Sequence, residues 1–198
     1  MFITFEGLDG SGKSTQAQLL AAALAAEGRE VVATREPGGT ELGERVRELL
    51  LAEGEVSPWA EAALFAAARA QLVEEVIAPA VERGADVISD RYLDSSLAYQ
   101  GIARGLGLER VLELNLHAVQ GLLPDRTFLL LVDPQESARR VGDDGDRIER
   151  EDDGFRSRVD AAYRELAAHF PERITTIDGT RPAREIAEEV LDELRQRS

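Results

Sequence analysis

The chain has 198 residues, 43% of them hydrophobic and 31% charged, which is typical of a globular domain and unlike a disordered or membrane-embedded chain. Its formal net charge of −15 argues against a nucleic-acid partner, because broad binding of nucleic acid needs a basic surface. No apolar stretch approaches the ~20 residues of a membrane span, and the lack of cysteine excludes disulfides and thiolate metal sites and fits a cytoplasmic protein.

Short apolar runs alternate along the chain with longer helix-forming segments. The predicted strands are 2–5, 30–34, 85–89, 127–132 and 173–177. The predicted helices are 13–27, 41–52, 58–83, 109–122, 134–140, 154–169 and 182–195. Largely apolar strands that alternate with helices predict an α/β fold, with a doubly wound five-stranded parallel sheet flanked by helices. No composition shift marks a boundary, so residues 1–198 are expected to form one domain.

The segment GLDGSGKST follows the first predicted strand and contains the only lysine of the chain, Lys13. Gly-x-x-x-x-Gly-Lys-Ser is a complete phosphate-loop pattern, in which backbone N–H groups and the lysine hold phosphates and the serine offers a hydroxyl to Mg²⁺. A glycine-rich turn with an incidental lysine is the simpler alternative, but the flanking strand and helix favour a P-loop NTPase fold. The residues expected to bind ATP are Gly7, Leu8, Asp9, Gly10, Ser11, Gly12, Lys13 and Ser14.

The rest of the chain decides which P-loop chemistry this is. The Asn-Lys-x-Asp guanine reader of a GTPase cannot be built without a second lysine. Motor and transport ATPases of this class are generally larger. Small kinases that transfer the γ-phosphate, and ligases that activate a carboxylate, remain.

Two segments after the phosphate loop supply groups for an acceptor. TREPGGTELGERVRELL (34–50) leaves the second strand with an arginine and a Glu-Pro-Gly-Gly turn. In ALFAAARAQ (63–71), Phe65 and Arg69 are one helical turn apart, so a ring and a guanidinium could stack on a base and bind its edge. A core phenylalanine and a surface arginine are the simpler interpretations of these two residues.

A third segment, SDRYLDSSLAYQG (89–101), follows the third predicted strand. Its Asp, Arg, Ser and Tyr residues are predicted to lie in a loop at the carboxyl edge of the sheet, where ligands of such sheets bind. Taken singly, Asp90 and Arg91 could form a structural ion pair and Tyr99 could be a half-buried core residue.

Together these motifs resemble the bacterial thymidylate kinases. The resemblance covers essentially the whole chain, from FEGLDGSGKST through TREPGGT and DRYLDSSLAYQG to DRIE, and the DRYLDSSLAYQG stretch is its most specific part. It implies a nucleoside monophosphate kinase that transfers the γ-phosphate of ATP to dTMP, giving dTDP on the route to dTTP. It also implies that Mg²⁺ is required and that the protein is a homodimer.

The resemblance implies a role for each matching residue on the base side. Phe65 would stack on thymine and Arg69 would bind its exocyclic oxygen, with Ser96 turned towards the base. The full set implied to bind dTMP is Arg35, Phe65, Arg69, Arg91, Ser96, Tyr99 and Gln100.

The phosphate and sugar of dTMP are assigned in the same way. Arg91 would hold the phosphate, with Arg35 orienting that region. Tyr99 would lie against the sugar and crowd out a 2′-hydroxyl, and Asp9 would hold the 3′-hydroxyl or a metal-bound water. Such a set suffices to define a nucleoside monophosphate.

The segment ARRVGDDGDRIERED (138–152) predicts a mobile lid over ATP, at about 141–153. In one branch of the family a catalytic arginine lies in the phosphate loop, at the position of Gly10 here, so we expect the lid to supply that charge. Arg147 is the first choice, followed by Arg140, Arg150 and Arg139; a solvated, charge-mixed loop is the alternative. The expected catalytic set is Asp9, Lys13, Arg91 and Arg147.

Two aspartates compete to bind Mg²⁺ together with Ser14. The resemblance favours Asp90, which directly follows the third predicted strand. Asp133 follows an apolar strand in the manner of a Walker B motif, but its position before Pro134 is typical of a helix N-cap.

Two other functions are also compatible with a phosphate loop. A deoxynucleoside kinase would need a carboxylate base at an uncharged hydroxyl, and the arginine-rich acceptor side argues against it. A non-catalytic nucleotide switch is disfavoured by the intact Asp9, Lys13 and Ser14.

Overall fold

The computed structural model describes residues 1–52, 54–142, 146–148 and 150–196, so residues 143–145 and 149 of the predicted lid lie outside the described residues. The elements in chain order are β1 (Phe2–Glu6), α1 (Lys13–Ala26), β2 (Val31–Arg35), α2 (Glu41–Leu51), α3 (Pro58–Leu72), a π-helical segment (Val73–Ile77), α4 (Ala78–Glu82), β3 (Asp86–Asp90), α5 (Leu93–Ser96), a second π-helical segment (Leu97–Ala103), α6 (Leu108–Ala118), β4 (Arg126–Leu131), α7 (Pro134–Val141), α8 (Asp153–His169), β5 (Ile174–Asp178) and α9 (Ala183–Gln196).

The strands form one parallel sheet in the order β2-β3-β1-β4-β5. Ile3 of the central strand pairs with Ile88 of β3 on one side and Arg126 of β4 on the other. The predicted five-stranded parallel sheet is confirmed, and each predicted strand matches an observed one to within one residue at either end. Because β1 and β3 are neighbours, the phosphate loop and Asp90 emerge side by side at the same edge.

Helices cover both faces of the sheet. On one face, Ile3 and Phe5 of β1 pack with Leu20 of α1 and Val190 of α9. On the other, Phe2 belongs to a larger core that includes the buried face of α8. Alternate residues of β1 therefore pack into cores on opposite faces of the sheet. Burial of each large apolar side chain contributes about 1.5–3 kcal/mol to the free energy of folding.

One loop prediction and one helix prediction need correction. Residues 89–101 were expected to form a loop, but α5 and the π-helical segment Leu97–Ala103 occupy most of this stretch. Leu93 and Leu97, four residues apart, are both buried in the core, and the Arg104 N–H reaches back five residues to the Tyr99 carbonyl oxygen at 2.8 Å. The serines and aspartates of the segment therefore face the site from helical backbone.

The predicted helix 109–122 also ends early, at Ala118. Gln120 and Gly121 have positive φ angles of 51° and 76°, which stop the helical path. Across the described ranges, none of the helices combines the length and the apolar character needed to cross a bilayer.

Candidate active site

The phosphate loop, residues 7–14, connects the end of β1 to the start of α1. Gly7, Gly10 and Gly12 have positive φ angles of 135°, 73° and 100°, which glycine adopts readily and other residues rarely do. Gly12 is the N-cap of α1 and no side chain caps this helix, which leaves its first N–H groups available to an anion.

Lys13 lies back over this loop. It is 6% exposed, its ammonium group donates to the Leu8 carbonyl oxygen at 2.8 Å, and it lies 3.7 Å from a carboxylate oxygen of Asp9. Burial lowers the pKa of Lys13 and the Arg91 guanidinium lowers it further, while Asp9 raises it. Phosphate oxygens would favour the charged form of this buried lysine.

Helix α7 packs directly against the loop at Gly10. The Ser137 hydroxyl donates to the Asp9 carbonyl oxygen at 2.7 Å. A Cβ atom at Gly10 would lie 2.9 Å from the Cβ of Arg140 and 3.0 Å from the Ser137 carbonyl oxygen. A side chain at position 10 would therefore require α7 to move. The supply of the additional positive charge by another element stays a prediction.

The arginines considered for that charge lie in different places. Arg140 of α7 donates to the Gly10 carbonyl oxygen at 3.2 Å and borders the phosphate loop. Arg147 lies on the acceptor side, where it donates to the Leu50 carbonyl oxygen at 2.9 Å and to the Glu61 carboxylate at 2.6 Å. In this structure Arg140 is therefore nearer to the phosphate loop than Arg147 is.

Ser14 and Asp90, the two residues predicted to bind Mg²⁺, lie next to each other. The Ser14 hydroxyl donates to a carboxylate oxygen of Asp90 at 2.5 Å, at the end of the phosphate loop. Asp133 has another use: its carboxylate accepts from the Gln135 and Glu136 N–H groups at 2.9 and 3.3 Å, at the start of α7. The prediction that Asp133 is an N-cap is confirmed.

Arg91 is the central residue of the site. Its guanidinium donates to Asp9 at 2.5 Å, to the Ser95 hydroxyl at 2.9 Å and to the Tyr163 hydroxyl at 3.1 Å. Burial lowers its pKa, but Asp9, Tyr99, Tyr163 and Glu6 together outweigh burial and hold the pKa well above the usual arginine value. Its φ angle of 72° is strained for a residue with a side chain, a feature that often marks functional sites.

Asp9 joins the phosphate loop to the acceptor side. Burial raises the pKa of its carboxyl, but Arg91 and Lys13 outweigh burial and lower it, so Asp9 is ionised at neutral pH. The Tyr99 hydroxyl donates to the second Asp9 oxygen at 3.3 Å, and the Arg91 guanidinium lies 5.3 Å from the centre of the Tyr99 ring. Burial raises the pKa of Tyr99, so it remains a neutral donor.

Beneath Arg91 is a buried acid that sequence reasoning missed. Glu6 accepts hydrogen bonds from the Tyr92 N–H at 2.8 Å, the Ser95 hydroxyl at 2.6 Å and the Tyr163 hydroxyl at 2.8 Å. Burial raises the pKa of Glu6 to about 7, with Asp94 adding to the rise and Arg91 opposing it. A charged residue placed directly after the predicted strand 2–5 and before the phosphate loop was the available signal.

Two cavities open at this edge of the sheet. The phosphate cavity is lined by Asp9, Gly10, Gly12, Lys13, Ser14, Thr15, Arg35, Glu36, Arg47, Asp90, Arg91 and Arg140. The acceptor cavity is lined by Asp9, Glu36, Pro37, Arg47, Leu51, Phe65, Arg91, Ser95, Ser96, Tyr99, Gln100, Asp146 and Ile148. Its lining combines an aromatic ring with charged and polar side chains, as in sites that bind small organic ligands.

Most of the predicted dTMP-binding residues meet in the acceptor cavity. Phe65, Ser96, Tyr99, Gln100 and Arg91 all line it. Phe65 is half-buried and presents its ring at the cavity wall, so it is not simply a core residue.

The structure places the other two predicted residues elsewhere. Arg35 borders the phosphate cavity and pairs with Glu44 at 2.9 Å. Arg69 is 1% exposed, behind the cavity wall, and its guanidinium donates to Glu36, Ser96, Asn115 and the Tyr92 carbonyl oxygen. A direct contact between Arg69 and a base remains a prediction.

Two further wall residues were not singled out from the sequence. Arg47 of α2 lines both cavities and donates to the Pro37 carbonyl oxygen at 3.1 Å. Glu36 also lines both; one carboxylate oxygen binds Arg69, and among the described residues the other is buried without a hydrogen-bond partner. Only the folded chain brings these residues to Arg91.

Comparison with known proteins agrees with this geometry. The family model described as thymidylate kinase matches residues 5–190. The chain belongs to the thymidylate kinase family. It is 49% identical over 196 residues to a thymidylate kinase of Exiguobacterium sp., covering 97% of this chain and 92% of that one. It is 52% identical over 194 residues to a thymidylate kinase of Leifsonia xyli subsp. xyli, covering 96% and 92%.

A solved structure supports the same assignment. The crystal structure of thymidylate kinase from Ehrlichia chaffeensis superimposes with a TM-score of 0.81 at 36% identity, covering 98% of each chain. The P-loop NTPase fold is thereby confirmed. The chain is a nucleoside monophosphate kinase that phosphorylates dTMP to dTDP, a step in dTTP synthesis, with ATP as the phosphate donor.

Proposed function

We propose that dTMP binds in the acceptor cavity and ATP in the phosphate cavity, and that the two reacting phosphates meet at the wall the cavities share. The observation that carries this proposal is that wall itself: Asp9, Glu36, Arg47 and Arg91 line both cavities. Two of these residues are arginines, so the shared wall can hold two anionic groups close together.

In the acceptor cavity, the thymine ring stacks on Phe65 and its edge faces Ser96 and Gln100. The sugar lies against Tyr99, and Arg91 holds the phosphate. Arg69 supports this wall through its hydrogen bond to the Ser96 hydroxyl at 3.0 Å. Its own reach to the base requires a rearrangement of its contact with Glu36.

In the phosphate cavity, residues 7–14 hold ATP and Lys13 neutralises its β- and γ-phosphates, with Arg35 at the rim. Ser14 and Asp90 would hold Mg²⁺, because their hydroxyl and carboxylate oxygens are the hard donors this ion prefers. When bound, the ion would neutralise phosphate charge during transfer.

The reaction forms a bond between a dTMP phosphate oxygen and the γ-phosphorus and breaks the bond from the γ-phosphorus to the bridging oxygen of ADP. A phosphate monoester is largely ionised at pH 7, so the attacking oxygen has no proton for a side chain to remove. Arg91 and Lys13 position the two phosphates and stabilise the charge that spreads over the transferred group. Asp9, held by Arg91, keeps that guanidinium in place.

Measurement of separate KM values tests the placement. Phe65→Ala should raise the KM for dTMP by about tenfold or more while leaving the KM for ATP within about threefold. Leu64→Ala is the matched control, because Leu64 is the neighbouring residue of α3 and does not line the cavity. A rise in the KM for ATP alone would contradict the placement of the base.

Arg147 is proposed as the lid arginine that reaches the transferred phosphoryl group. It would leave Glu61 when the lid, residues 141–153, closes over ATP. An arginine in this role contributes ~10³–10⁵ in rate in other P-loop enzymes. Arg147→Ala should therefore lower kcat by at least 10²-fold, more than Arg140→Ala does. Arg139→Ala is the control, since Arg139 is 75% exposed. A larger loss in Arg140→Ala would assign the role to Arg140.

The proposed assembly is a cytoplasmic homodimer. Exposed apolar side chains lie on two helices: Trp59 of α3 is 39% exposed and Leu116 of α6 is 36% exposed. Arg110 of α6 lies 4.7 Å from the centre of the Trp59 ring, so these two helices contact each other. Trp59→Arg should shift sedimentation towards the monomer, whereas Leu19→Arg on α1 should not.

A further inference from the structure

The carboxylate of Glu61 connects three segments around the acceptor cavity. Glu61 lies on α3 and is 1% exposed. One of its oxygens accepts from the Gln100 side-chain nitrogen at 2.9 Å and from Arg104 at 3.3 Å. The other accepts from Arg147 at 2.6 Å and from Arg104 at 3.3 Å. A single buried acid thus touches the lid and a residue of the base-binding wall.

Glu61 is ionised at neutral pH. Burial raises the pKa of its carboxyl, but hydrogen bonds from Arg147 and Gln100 and the charge of Arg104 outweigh burial and lower it. An ionised carboxylate has oxygens that only accept hydrogen bonds. The Gln100 amide must therefore turn its nitrogen towards Glu61, as the structure shows.

This contact determines what Gln100 can offer a ligand. Gln100 is 1% exposed and lines the acceptor cavity, so little space is left for its amide to turn. With the nitrogen held by Glu61, the side-chain carbonyl oxygen and the second N–H have no other hydrogen-bond partner among the described residues and can serve the base. Side by side, they form an acceptor next to a donor.

Pyrimidine bases differ in the hydrogen-bond donors and acceptors on the edge that would face the Gln100 amide. Thymine and uracil present an N3–H donor beside the O4 acceptor, which complements the fixed amide. Cytosine presents the reverse, an N3 acceptor beside an N4 amino donor. A glutamine amide rotated by 180° would complement cytosine instead, so an unrestrained Gln100 could serve either base.

We propose that Glu61 is a positioning residue that fixes the Gln100 amide and thereby selects dTMP and dUMP over dCMP. This inference rests on the proposed function, because it requires the base to lie against Gln100. Glu61 does not itself touch the substrate. Its effect is on specificity, since a wrongly paired base leaves buried polar groups unsatisfied.

The test compares kcat/KM for dTMP, dUMP and dCMP in the whole enzyme and in Glu61→Gln. A neutral amide at position 61 can offer Gln100 either an oxygen or an N–H, so both orientations become accessible. We expect the dTMP-to-dCMP ratio of kcat/KM to narrow at least about tenfold, while the dTMP-to-dUMP ratio stays within about twofold. Parallel loss of activity on dTMP and dCMP would overturn the proposal, since a purely structural role predicts that result.

Arg147→Gln is the matched control, because it removes another partner of Glu61 and leaves the contact with Gln100. The kcat of Arg147→Gln should fall, and its dTMP-to-dCMP ratio of kcat/KM should stay unchanged. A smaller ratio in this variant would show that the lid selects the base and would overturn the proposal. If circular dichroism shows that Glu61→Gln does not fold, the same comparison of kcat/KM values is made with Glu61→Asp. It keeps the charge but withdraws the carboxylate from Gln100, and an unchanged ratio there would also overturn the proposal.

Gln100→Met separates this inference from the proposed function. If Gln100→Met leaves the dTMP-to-dCMP ratio unchanged, the base does not lie against Gln100 and the placement of dTMP fails. If Gln100→Met narrows the ratio and neither Glu61 variant does, the placement stands and the role of Glu61 fails. Narrowing in both Gln100→Met and Glu61→Gln supports the two together.

Discussion

The Arg91 guanidinium donates to the Asp9 carboxylate at 2.5 Å, and this contact joins the phosphate loop to the cavity in which we propose that dTMP binds. Arg91 follows β3 and Asp9 follows β1, and these strands are neighbours in the sheet. A partly buried ion pair of this kind positions both partners, and removal of either leaves the other charge without its partner.

Arg91→Lys should lower kcat/KM for dTMP by about 10²-fold or more. A lysine ammonium cannot reproduce the fork that binds Asp9, Ser95 and a phosphate at once. Steady-state kinetics with dTMP varied at saturating ATP measures the loss. Arg83→Lys is the control for the same exchange in an exposed ion pair with Glu30, and should change kcat/KM less than twofold. An equal change of kcat/KM in the two variants would show that Arg91 does not bind dTMP.

Gly10→Ala should weaken ATP binding because a methyl group there pushes on α7. The new Cβ would meet Arg140 at 2.9 Å, and φ is 73°. Gly84→Ala has a similar φ of 83° but nothing within 4 Å, so it shares the backbone strain without the collision. We expect a several-fold higher KM for ATP in Gly10→Ala alone, and about 1–3 kcal/mol lost in unfolding free energy for this variant. Similar KM values in both variants would contradict the crowding argument.

The two candidate metal aspartates should respond differently to removal. Asp90→Ala should lower kcat by about 10²-fold or more and raise the Mg²⁺ concentration needed for half-maximal activity, because its carboxylate lies on Ser14. Asp133→Ala should leave kcat within about threefold and lower the unfolding free energy by about 1 kcal/mol, through the lost cap of α7. A shifted Mg²⁺ requirement in Asp133→Ala would reverse the assignment. Mg²⁺ titration of activity and urea unfolding measure the two effects.

Glu6 should make stability depend on pH. Its pKa is raised from 4.5 to about 7 by burial and by Asp94, against the opposing Arg91. Below pH 4.5 both folded and unfolded chains keep the proton; between 4.5 and about 7 only the folded chain keeps it, so stability falls as pH rises through this window.

Glu6→Gln, which stays neutral, should remove that fall. Relative to the natural chain, its unfolding free energy should gain on the order of 3 kcal/mol between pH 4.5 and pH 8. Urea unfolding at the two pH values measures this difference. The exposed Glu82→Gln variant is the control and should follow the natural chain. A constant offset for Glu6→Gln across the range would show that Glu6 does not titrate there.

Tyr99 should exclude ribonucleotides through its ring, and its hydroxyl should matter less for this choice. Tyr99→Phe keeps the ring and loses the bond to Asp9 at 3.3 Å, so the preference for dTMP over its ribose counterpart should stay within about threefold. Tyr99→Ala opens the space beside the sugar, and the preference should fall by about tenfold or more. Competition between the two nucleotides in an ADP-release assay measures the ratio; an unchanged preference in Tyr99→Ala would remove the steric role.

Much of the fold follows from local patterns in the chain. Some features depend only on neighbours within a few residues and could therefore be predicted from the sequence. They are the apolar strands, the glycine positions around Lys13 and the Asp133–Pro134 cap. The phosphate loop was predictable for the same reason, since backbone N–H groups and a lysine act within one short segment. The segment 89–101 was misjudged because serine and aspartate favour loops locally, while burial of Leu93 and Leu97 favours a helix in the folded chain.

The remaining features depend on residues that are distant in the sequence. Sheet order decides that Asp9 meets Arg91, and packing of α3 against its neighbours decides that Glu61 meets Gln100 and Arg147. The burial that raises the pKa of Glu6, and the four partners that surround Arg69, likewise exist only after the core has formed. Sequence by itself determined the reaction class and the candidate residues; tertiary structure decided which of them touch, because hydrogen bonds and desolvation act over a few ångströms of space and not along the chain.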